Sequence, residues 1–241
     1  MSQLVQLYYK DLLSCLEKTE TVRHQLFLYL IKNILNLAVE CKAERIFYSS
    51  SSEVYGEPVE IPQNEITTPL NSKVPYAIVK SVGESFMRTF HDHHQLDFTI
   101  MRFFNTYGPR QKNDFVISKF IELALQNKDI TIYGDGSQTR SFLHVDDNIE
   151  FTIKILKNKK LLNDVVNVGS DIEIKIIDLA NMIIENLLSK SKIIFLPPLK
   201  EGDMTRRKPD ISKMKEVYQK EIISLEEGIE LVASANKSEN T

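Results

Sequence analysis

Segments with helical periodicity alternate with segments of extended character along most of the 241-residue sequence. Apolar residues between positions 22 and 41 recur every three or four residues, which predicts a helix, and a β-prone run at 45–48 follows it. Further strands are predicted at 97–103, 129–133, 165–168 and 192–196, with helices at 75–90, 115–127, 146–156 and 176–188. This alternation predicts an α/β fold with helices covering a parallel sheet.

The charge balance excludes several classes of partner. The sequence has 30 basic and 33 acidic residues with no long block of one sign, so we expect neither nucleic acid nor an anionic membrane as a partner. No apolar run approaches the roughly 20 residues that span a bilayer, and the N-terminus lacks a basic region followed by an apolar core and a cleavage site, so we expect no signal peptide. Cys15 and Cys41 lack CxxC spacing and are expected to be buried thiols, which favours a cytoplasmic protein.

The segment PYAIVK at 75–80 places two reactive side chains on one helical face. Pro75 suits the first turn of a helix, and Tyr76 and Lys80 are four residues apart. An ammonium close to a phenol favours the phenolate and lowers the pKa of the phenol. Tyr76 is therefore a candidate general acid or base, although a single Tyr-x-x-x-Lys match is also expected by chance.

Two polar loops that follow predicted strands are expected to lie close to Tyr76 and Lys80. Ser49–Glu53 come directly after the strand at 45–48, and Asn105–Arg110 come after the strand at 97–103. In open α/β sheets, ligands bind outside the carboxyl ends of the strands. We therefore expect both loops and the Tyr76/Lys80 pair to converge on one crevice.

Six segments together are similar to one known family. They are SSSSEVYGEP, PYAIVKSVGE, MRFFNTYGPRQ, IYGDGSQTRSFLHVDD, VVNVGS and RRKPDISK. Their order and spacing resemble those of the extended short-chain dehydrogenase/reductases that act on nucleotide sugars, over roughly residues 22–235. The resemblance implies an NAD-dependent enzyme that oxidises a sugar hydroxyl, usually at C4, so that the ketone permits a second reaction.

The resemblance also assigns catalytic roles by matching position. It makes Tyr76 the base, Lys80 the group that lowers its pKa and contacts the nicotinamide ribose, and Ser51 a hydrogen-bonding partner of the reacting oxygen. Ser52 and Glu53 stand where dehydratases of the family carry an acidic pair, and because serine is a poor proton donor, dehydration is disfavoured. The closest resemblance is to UDP-glucuronate decarboxylases and then to UDP-sugar 4-epimerases.

Substrate contacts are implied in the same way. Glu53 would participate beside the sugar with Ser52, and Arg207 would engage the substrate near its carboxylate. A diphosphate is best bound by guanidinium and amide donors, and the matching positions hold Asn105 and Arg140. The remaining substrate candidates are Tyr133 near the base, Lys200 and Asp203.

One hallmark of the family is missing from this sequence. Family members begin with a strand and a Gly-x-x-Gly-x-x-Gly turn that binds the NAD pyrophosphate, whereas the first glycine here is Gly56. We therefore expect an N-terminally truncated chain: the carboxyl portion of a Rossmann-like parallel sheet lacking its glycine-loop strands, plus a small C-terminal substrate-binding α/β subdomain. A separate N-terminal NAD-binding part, a reading-frame error, or a non-catalytic nucleotide-sugar-binding or dimerisation module remain alternatives.

The expected organisation has four parts. They are an irregular segment at 1–21, the remaining Rossmann-like domain at 22–110, the remaining sheet elements with the nucleotide-sugar-binding subdomain at 111–235, and a disordered tail at 236–241. Helices 22–41 and 76–94 are expected to form a homodimer, with a seam of Leu26, Leu30, Leu37 and Phe86. The histidines at 91, 93 and 94 are expected to end a helix rather than bind a metal ion.

Overall fold

A computed structural model describes residues 20–157, 159–198 and 206–239. Its helices are α1 (Glu20–Glu40), α2 (Pro75–His94), α3 (Val116–Leu125), α4 (Val145–Leu156), α5 (Ile176–Asn186), α6 (Ser212–Tyr218) and α7 (Leu225–Glu239). Its strands are β1 (Arg45–Ser51), β2 (Asp97–Phe103), β3 (Thr106–Tyr107), β4 (Ile130–Tyr133), β5 (Thr139–Ser141), β6 (Leu143–His144), β7 (Asp164–Val168), β8 (Glu173–Lys175), β9 (Ile193–Leu196) and β10 (Arg206–Arg207).

The chain divides into two compact units, of which the first holds residues up to Gly56, Leu70–Met101 and Leu162–Asp164. Helices α1 and α2 pack against each other, and α2 packs on β1. Strand β1 is the neighbour of β2 in a sheet of order β1-β2-β7. A short 3-10 turn, Ser52–Tyr55, leads out of β1. The carboxyl end of β1 and the first turns of α2 therefore belong to one packed unit.

The second unit holds Glu57–Pro69, Arg102–Leu161 and the chain from Val165 onward. In its parallel pair β4 and β9, strand β4 contacts helices α3 and α5, and α7 packs on both of these helices, so that their apolar faces form one core. Fully buried residues of this core are Ile117, Ile121, Ile130, Leu179 and Ile183. Strand β5 lies between β10, which is parallel to it, and β8, which is antiparallel.

The predicted α/β class with parallel strand pairing is confirmed, and most predicted elements lie within a few residues of the observed ones. Strand β1 continues to Ser51, so the serines are part of the strand instead of a loop after it. Helix α7 extends to Glu239, past the residue at which the tail was predicted to begin. The domain boundaries stay predictions, and the segment predicted as irregular at 1–21 lies mostly outside the described residues.

The apolar stripe predicted for α1 is only partly correct. Among the side chains of α1 that the structure describes, Ile31 and Leu35 are buried, while Ile34 and Leu37 are exposed. Cys41, expected to be buried, lies just beyond α1 and is exposed. The packing partner α2 decides which face of α1 is covered, and helical periodicity alone does not identify that face. Among the described residues, no helix is both long and apolar enough to cross a membrane.

Gly83 is required by the packing of α2 against β1. A Cβ atom at this position would lie 2.1 Å from Oη and 2.4 Å from Cζ of the buried Tyr48 ring. Alanine normally stabilises a helix interior by about 1 kcal/mol relative to glycine, but overpacking a core costs about 1–3 kcal/mol. Because this contact is closer than any normal packing distance, the steric cost exceeds the helical gain.

We therefore expect Gly83→Ala to lower the free energy of unfolding by up to about 2 kcal/mol, the upper difference between those two terms. Urea denaturation of the purified chain measures this quantity. Ser85→Ala is the matched control, because Ser85 is exposed on the same helix and gains helix propensity without a clash. A Gly83→Ala protein as stable as the Ser85→Ala protein would contradict the steric argument.

Candidate functional site

Ser51 ends β1 and is held by the turn that follows it. Its backbone is extended, and its Oγ accepts a hydrogen bond of 3.2 Å from the backbone N–H of Glu53, which caps the 3-10 turn. Ser52 is buried within this turn. The side chain of Ser51 is therefore fixed by local backbone geometry.

Helix α2 presents Tyr76 and Lys80 to this strand end. Val74 has an extended backbone and Pro75 begins the helix, as the sequence predicted. Tyr76 is half-exposed at 47 % and lies close enough to the Ser51 hydroxyl for that group to lower the Tyr76 pKa, while Lys80 is buried at 9 % exposure. Three of the predicted catalytic residues, Ser51, Tyr76 and Lys80, thus lie together in the first unit.

The ammonium of Lys80 points to the strand backbone. Its Nζ donates a 2.8 Å hydrogen bond to the carbonyl oxygen of Ser49. It also lies 4.9–5.6 Å from the ring centroids of Phe27, Tyr48 and Tyr76. The cation is therefore held by a carbonyl group and aromatic faces, both of which stabilise positive charge.

The electrostatics of Tyr76 differ from the sequence prediction. Burial raises the pKa of Tyr76 above its ordinary value, the nearby Ser51 hydroxyl opposes this rise, and the Glu53 carboxylate adds to it. Burial also lowers the pKa of Lys80. The prediction that Lys80 brings the pKa of Tyr76 towards neutrality is wrong for this structure, because Nζ bonds the Ser49 carbonyl instead of the phenol oxygen.

The second unit contains a cavity of about 230 Å³. Asn105, Tyr133 and Arg140, all predicted to bind substrate, line it together with apolar side chains such as Phe120. Asn105 Nδ2 donates to the carbonyl of Ser141 at 3.1 Å, and Arg140 Nη1 donates to the carbonyl of Thr139 at 2.7 Å. A cavity that combines aromatic and aliphatic walls with guanidinium and amide groups suits a nucleotide.

The other predicted site residues occupy different positions. Arg207 on β10 is buried and is the register partner of Arg140 on β5, but it is not among the residues that line the cavity. Glu53 is partly buried beside Ser51 and Ser52. Lys200 and Asp203 lie outside the described residues. The common crevice expected for all these groups stays a prediction.

Two further residues were missed by the sequence analysis. Lys119 on α3 contributes a second cation to the cavity. Glu84 on α2 is fully buried and accepts a 2.6 Å hydrogen bond from Ser50. The four-residue spacing from Lys80 to Glu84 is visible in the sequence. However, no local sequence pattern distinguishes Glu84 or Lys119 from a charged side chain that faces solvent.

Buried tyrosines make the protein sensitive to alkaline pH. Burial is the main cause that raises the pKa of Tyr48, Tyr107 and Tyr218. A raised folded pKa gives stability that is complete below the unfolded value of about 10 and is lost as the pH rises towards the folded value. We expect the free energy of unfolding to fall between about pH 10 and about pH 12 in urea titrations.

Tyr107→Phe tests the cause of this fall, since Tyr107 Oη has no hydrogen-bond partner among the described residues. The substitution removes one ionisable group without removing a hydrogen bond, so the pH dependence should become less steep. An identical slope in the Tyr107→Phe protein would assign the alkaline sensitivity to other groups.

The fold is that of a Rossmann-like α/β protein in which Ser51, Tyr76 and Lys80 lie together. The sequence model of the NAD dependent epimerase/dehydratase family matches residues 20–169. The chain therefore belongs to the NAD dependent epimerase/dehydratase family.

Curated relatives include decarboxylases and an epimerase. UDP-glucuronic acid decarboxylase 4 of Arabidopsis thaliana is 35 % identical over 207 residues, which are 83 % of this chain and 46 % of that protein. A putative UDP-glucose 4-epimerase of Methanocaldococcus jannaschii is 34 % identical, over 86 % of this chain and 68 % of that protein. The chain spans about half the length of the Arabidopsis relative.

Solved structures of similar fold include two epimerases. The UDP-glucose 4-epimerase of Thermotoga maritima with UDP-glucose has a TM-score of 0.82 and 28 % identity, over 88 % of this chain and 69 % of that one. The UDP-glucuronic acid 4-epimerase of Bacillus cereus, in complex with UDP-glucuronic acid and NAD, has a TM-score of 0.80 and 28 % identity, over 88 % and 67 %. The extended short-chain dehydrogenase/reductase resemblance is confirmed.

Proposed function

We propose that this chain carries the proton-transfer residues and the nucleotide cavity of an NAD-dependent enzyme that modifies a UDP-sugar. The reaction is oxidation at the sugar C4 followed by decarboxylation or epimerisation, as a lyase or an isomerase. The observation that carries the proposal is that Ser51, Tyr76 and Lys80 lie together at the end of β1, with the Lys80 ammonium 5.6 Å from the centroid of the half-exposed Tyr76 ring. A hydroxyl of a substrate bound there has both a hydrogen-bond donor and a proton acceptor within reach.

Each residue of the first unit has one task in this reaction. Ser51 donates a hydrogen bond to the C4 oxygen, and Tyr76 removes the hydroxyl proton. Lys80, whose ammonium lies 5.6 Å from the centroid of the Tyr76 ring, contacts the nicotinamide ribose. Glu53, next to Ser51 and Ser52, supplies a carboxylate beside the sugar. NAD, when bound, would accept the hydride from C4.

The residues present fit only one end of NAD. Tyr76 and Lys80 are suited to the nicotinamide ribose, whereas the sequence has no glycine before Gly56 and so no glycine-rich turn for the pyrophosphate. We propose that a separate NAD-binding part, not contained in this sequence, completes the cofactor site. A truncated reading frame would produce the same requirement.

The nucleotide occupies the cavity of the second unit in this proposal. Arg140 and Asn105 bind the diphosphate, because guanidinium and amide groups donate hydrogen bonds to phosphate oxygens. Tyr133 packs near the base. Arg207, Lys200 and Asp203 remain proposed substrate contacts, of which Arg207 approaches the sugar carboxylate.

A second candidate is a non-catalytic nucleotide-sugar-binding or dimerisation module. The cavity of the second unit favours it, since nucleotide-sugar binding there needs neither NAD nor a redox step. Calorimetric titration with UDP and UDP-glucuronate, followed by an NADH absorbance assay with added NAD and a glycine-loop domain from a relative, separates the two. Binding with NADH formation supports the enzyme, binding without it supports the module, and no binding contradicts both.

We also propose a homodimer formed through α1 and α2. The exposed apolar residues Tyr29, Ile34 and Leu37 of α1 supply a surface that a second copy would cover. We further propose a cytoplasmic location, because a reducing compartment keeps the exposed Cys41 as a free thiol.

Leu37→Lys is expected to convert this dimer into a monomer, since it puts a charge into the proposed apolar interface. Sedimentation velocity over a range of protein concentrations measures the change. Leu188→Lys is the matched control, because Leu188 is exposed but lies far along the chain, after α5. A Leu37→Lys protein that still sediments as a dimer would contradict this interface.

A further inference from the structure

Two side chains of α2, one turn apart, are bonded to two consecutive residues of β1. Lys80 Nζ donates to the Ser49 carbonyl at 2.8 Å, and Ser50 Oγ donates to Glu84 Oε1 at 2.6 Å. Both bonds lie immediately before Ser51, the last residue of the strand. The helix that carries Tyr76 is thereby joined to the strand that carries Ser51.

Burying Glu84 has a free-energy cost that a purely structural contact does not require. Its side chain has no solvent exposure, and burying a carboxylate has a large desolvation cost. The guanidinium of Arg88, 3.5 Å from Glu84 Oε2, is itself 44 % exposed, so water weakens this ion pair. An apolar side chain of similar volume is often neutral or stabilising in such a position. Stability alone therefore does not account for a carboxylate here.

The geometry of a strand explains what the Ser50–Glu84 hydrogen bond can achieve. Successive side chains of a strand point to opposite faces, so the orientation of Ser50 determines that of Ser51. Ser51 is followed directly by the 3-10 turn, so no further strand residue holds it in register. Fixing the Ser50 side chain against α2 therefore also fixes the face of β1 from which the Ser51 side chain projects, and the Glu53 N–H then orients the Ser51 hydroxyl.

We propose that Glu84 is a positioning residue that, through its hydrogen bond with Ser50, holds the Ser51 hydroxyl against the phenol of Tyr76. The inference rests on the proposed function for its catalytic meaning, but the arrangement itself exists without substrate or cofactor. Glu84 contacts no reacting atom and acts only through Ser50 and Ser51.

The test measures the titration of Tyr76 in the chain alone, by NMR of protein labelled with carbon-13 at the tyrosine Cζ. The Tyr76 signal is assigned by its loss in Tyr76→Phe. Because the Ser51 hydroxyl lowers the pKa of Tyr76, displacing that hydroxyl should move the titration midpoint upward in Glu84→Ala and in Ser50→Ala. Glu84→Gln retains an acceptor oxygen and should restore the wild-type midpoint.

Ser85→Ala, an exposed serine-to-alanine change on the same helix, is the control and should leave the midpoint unchanged. Ser50→Ala keeps the Glu84 charge, so it also separates hydrogen bonding from electrostatics. If Glu84→Ala does not fold, Ser50→Ala and Glu84→Gln still decide the question. A lower free energy of unfolding with an unmoved Tyr76 midpoint in Ser50→Ala would overturn the proposal, as would a Glu84→Gln midpoint that differs from wild type.

These measurements need no UDP-sugar and no NAD, so their outcome does not depend on whether the proposed function is correct. A protein that binds no nucleotide but shows the Tyr76 shift would support the positioning role and contradict the enzyme. A protein that turns over substrate but shows an unmoved Tyr76 midpoint would support the enzyme and contradict the positioning role.

Discussion

Tyr76→Phe is expected to reduce the turnover of UDP-glucuronate by about 10²–10⁴-fold, the range typical of a lost general acid or base. Phenylalanine keeps the ring and its contact with Lys80 but has no oxygen to accept the C4 hydroxyl proton. The affinity for UDP should not change, because Tyr76 is not among the residues that line the cavity of the second unit. The reduction in turnover is therefore expected in kcat and not in the affinity for UDP.

The measurement is the initial rate of UDP-glucuronate consumption with NAD, on this chain supplied with a glycine-loop domain from a relative. Calorimetric titration with UDP checks that binding is intact. Tyr29→Phe is the control, since Tyr29 is 72 % exposed on α1 and belongs to no proposed site of catalysis. Undiminished turnover in Tyr76→Phe would show that another group removes the proton.

Arg140→Ala has the second largest expected effect, a loss of about 10–100-fold in affinity for UDP. Hydrogen bonds to charged groups contribute about 1.5–3 kcal/mol, and the guanidinium of Arg140 is one of two cationic side chains lining the cavity. The Nη1 bond to the Thr139 carbonyl orients the guanidinium before ligand binds. Arg140→Lys should recover only part of the loss, because an ammonium lacks the planar fork.

Arg206→Ala is the matched control for this measurement. Arg206 lies on β10 beside β5, but its guanidinium is exposed and paired with Glu173, and it does not line the cavity. Calorimetry with UDP at low and high salt should show a weaker salt dependence for Arg140→Ala than for wild type or Arg206→Ala. Equal losses of UDP affinity in Arg140→Ala and Arg206→Ala would indicate that a basic residue of this sheet contributes to binding through its charge alone.

The candidate site was predictable to the extent that its groups are local in sequence. The Tyr76/Lys80 spacing gives a shared helical face, and the structure has Ser51 at the end of the preceding strand. Asn105, Tyr133 and Arg140 come from separate segments, and their assignment depended on resemblance. Glu84 and Lys119 were missed because a charged residue on a helix usually faces solvent, and only packing identifies the exceptions.

Periodicity and spacing in the sequence determined the α/β class, the strand order along the chain and the helical face shared by Tyr76 and Lys80, because these depend on neighbours a few residues apart. Only the tertiary structure decided that Lys80 bonds the Ser49 carbonyl, that the pKa of Tyr76 is raised, and which face of α1 is covered. Each of these depends on burial and on partners distant in sequence, since desolvation and hydrogen-bond geometry exist only after the chain has packed.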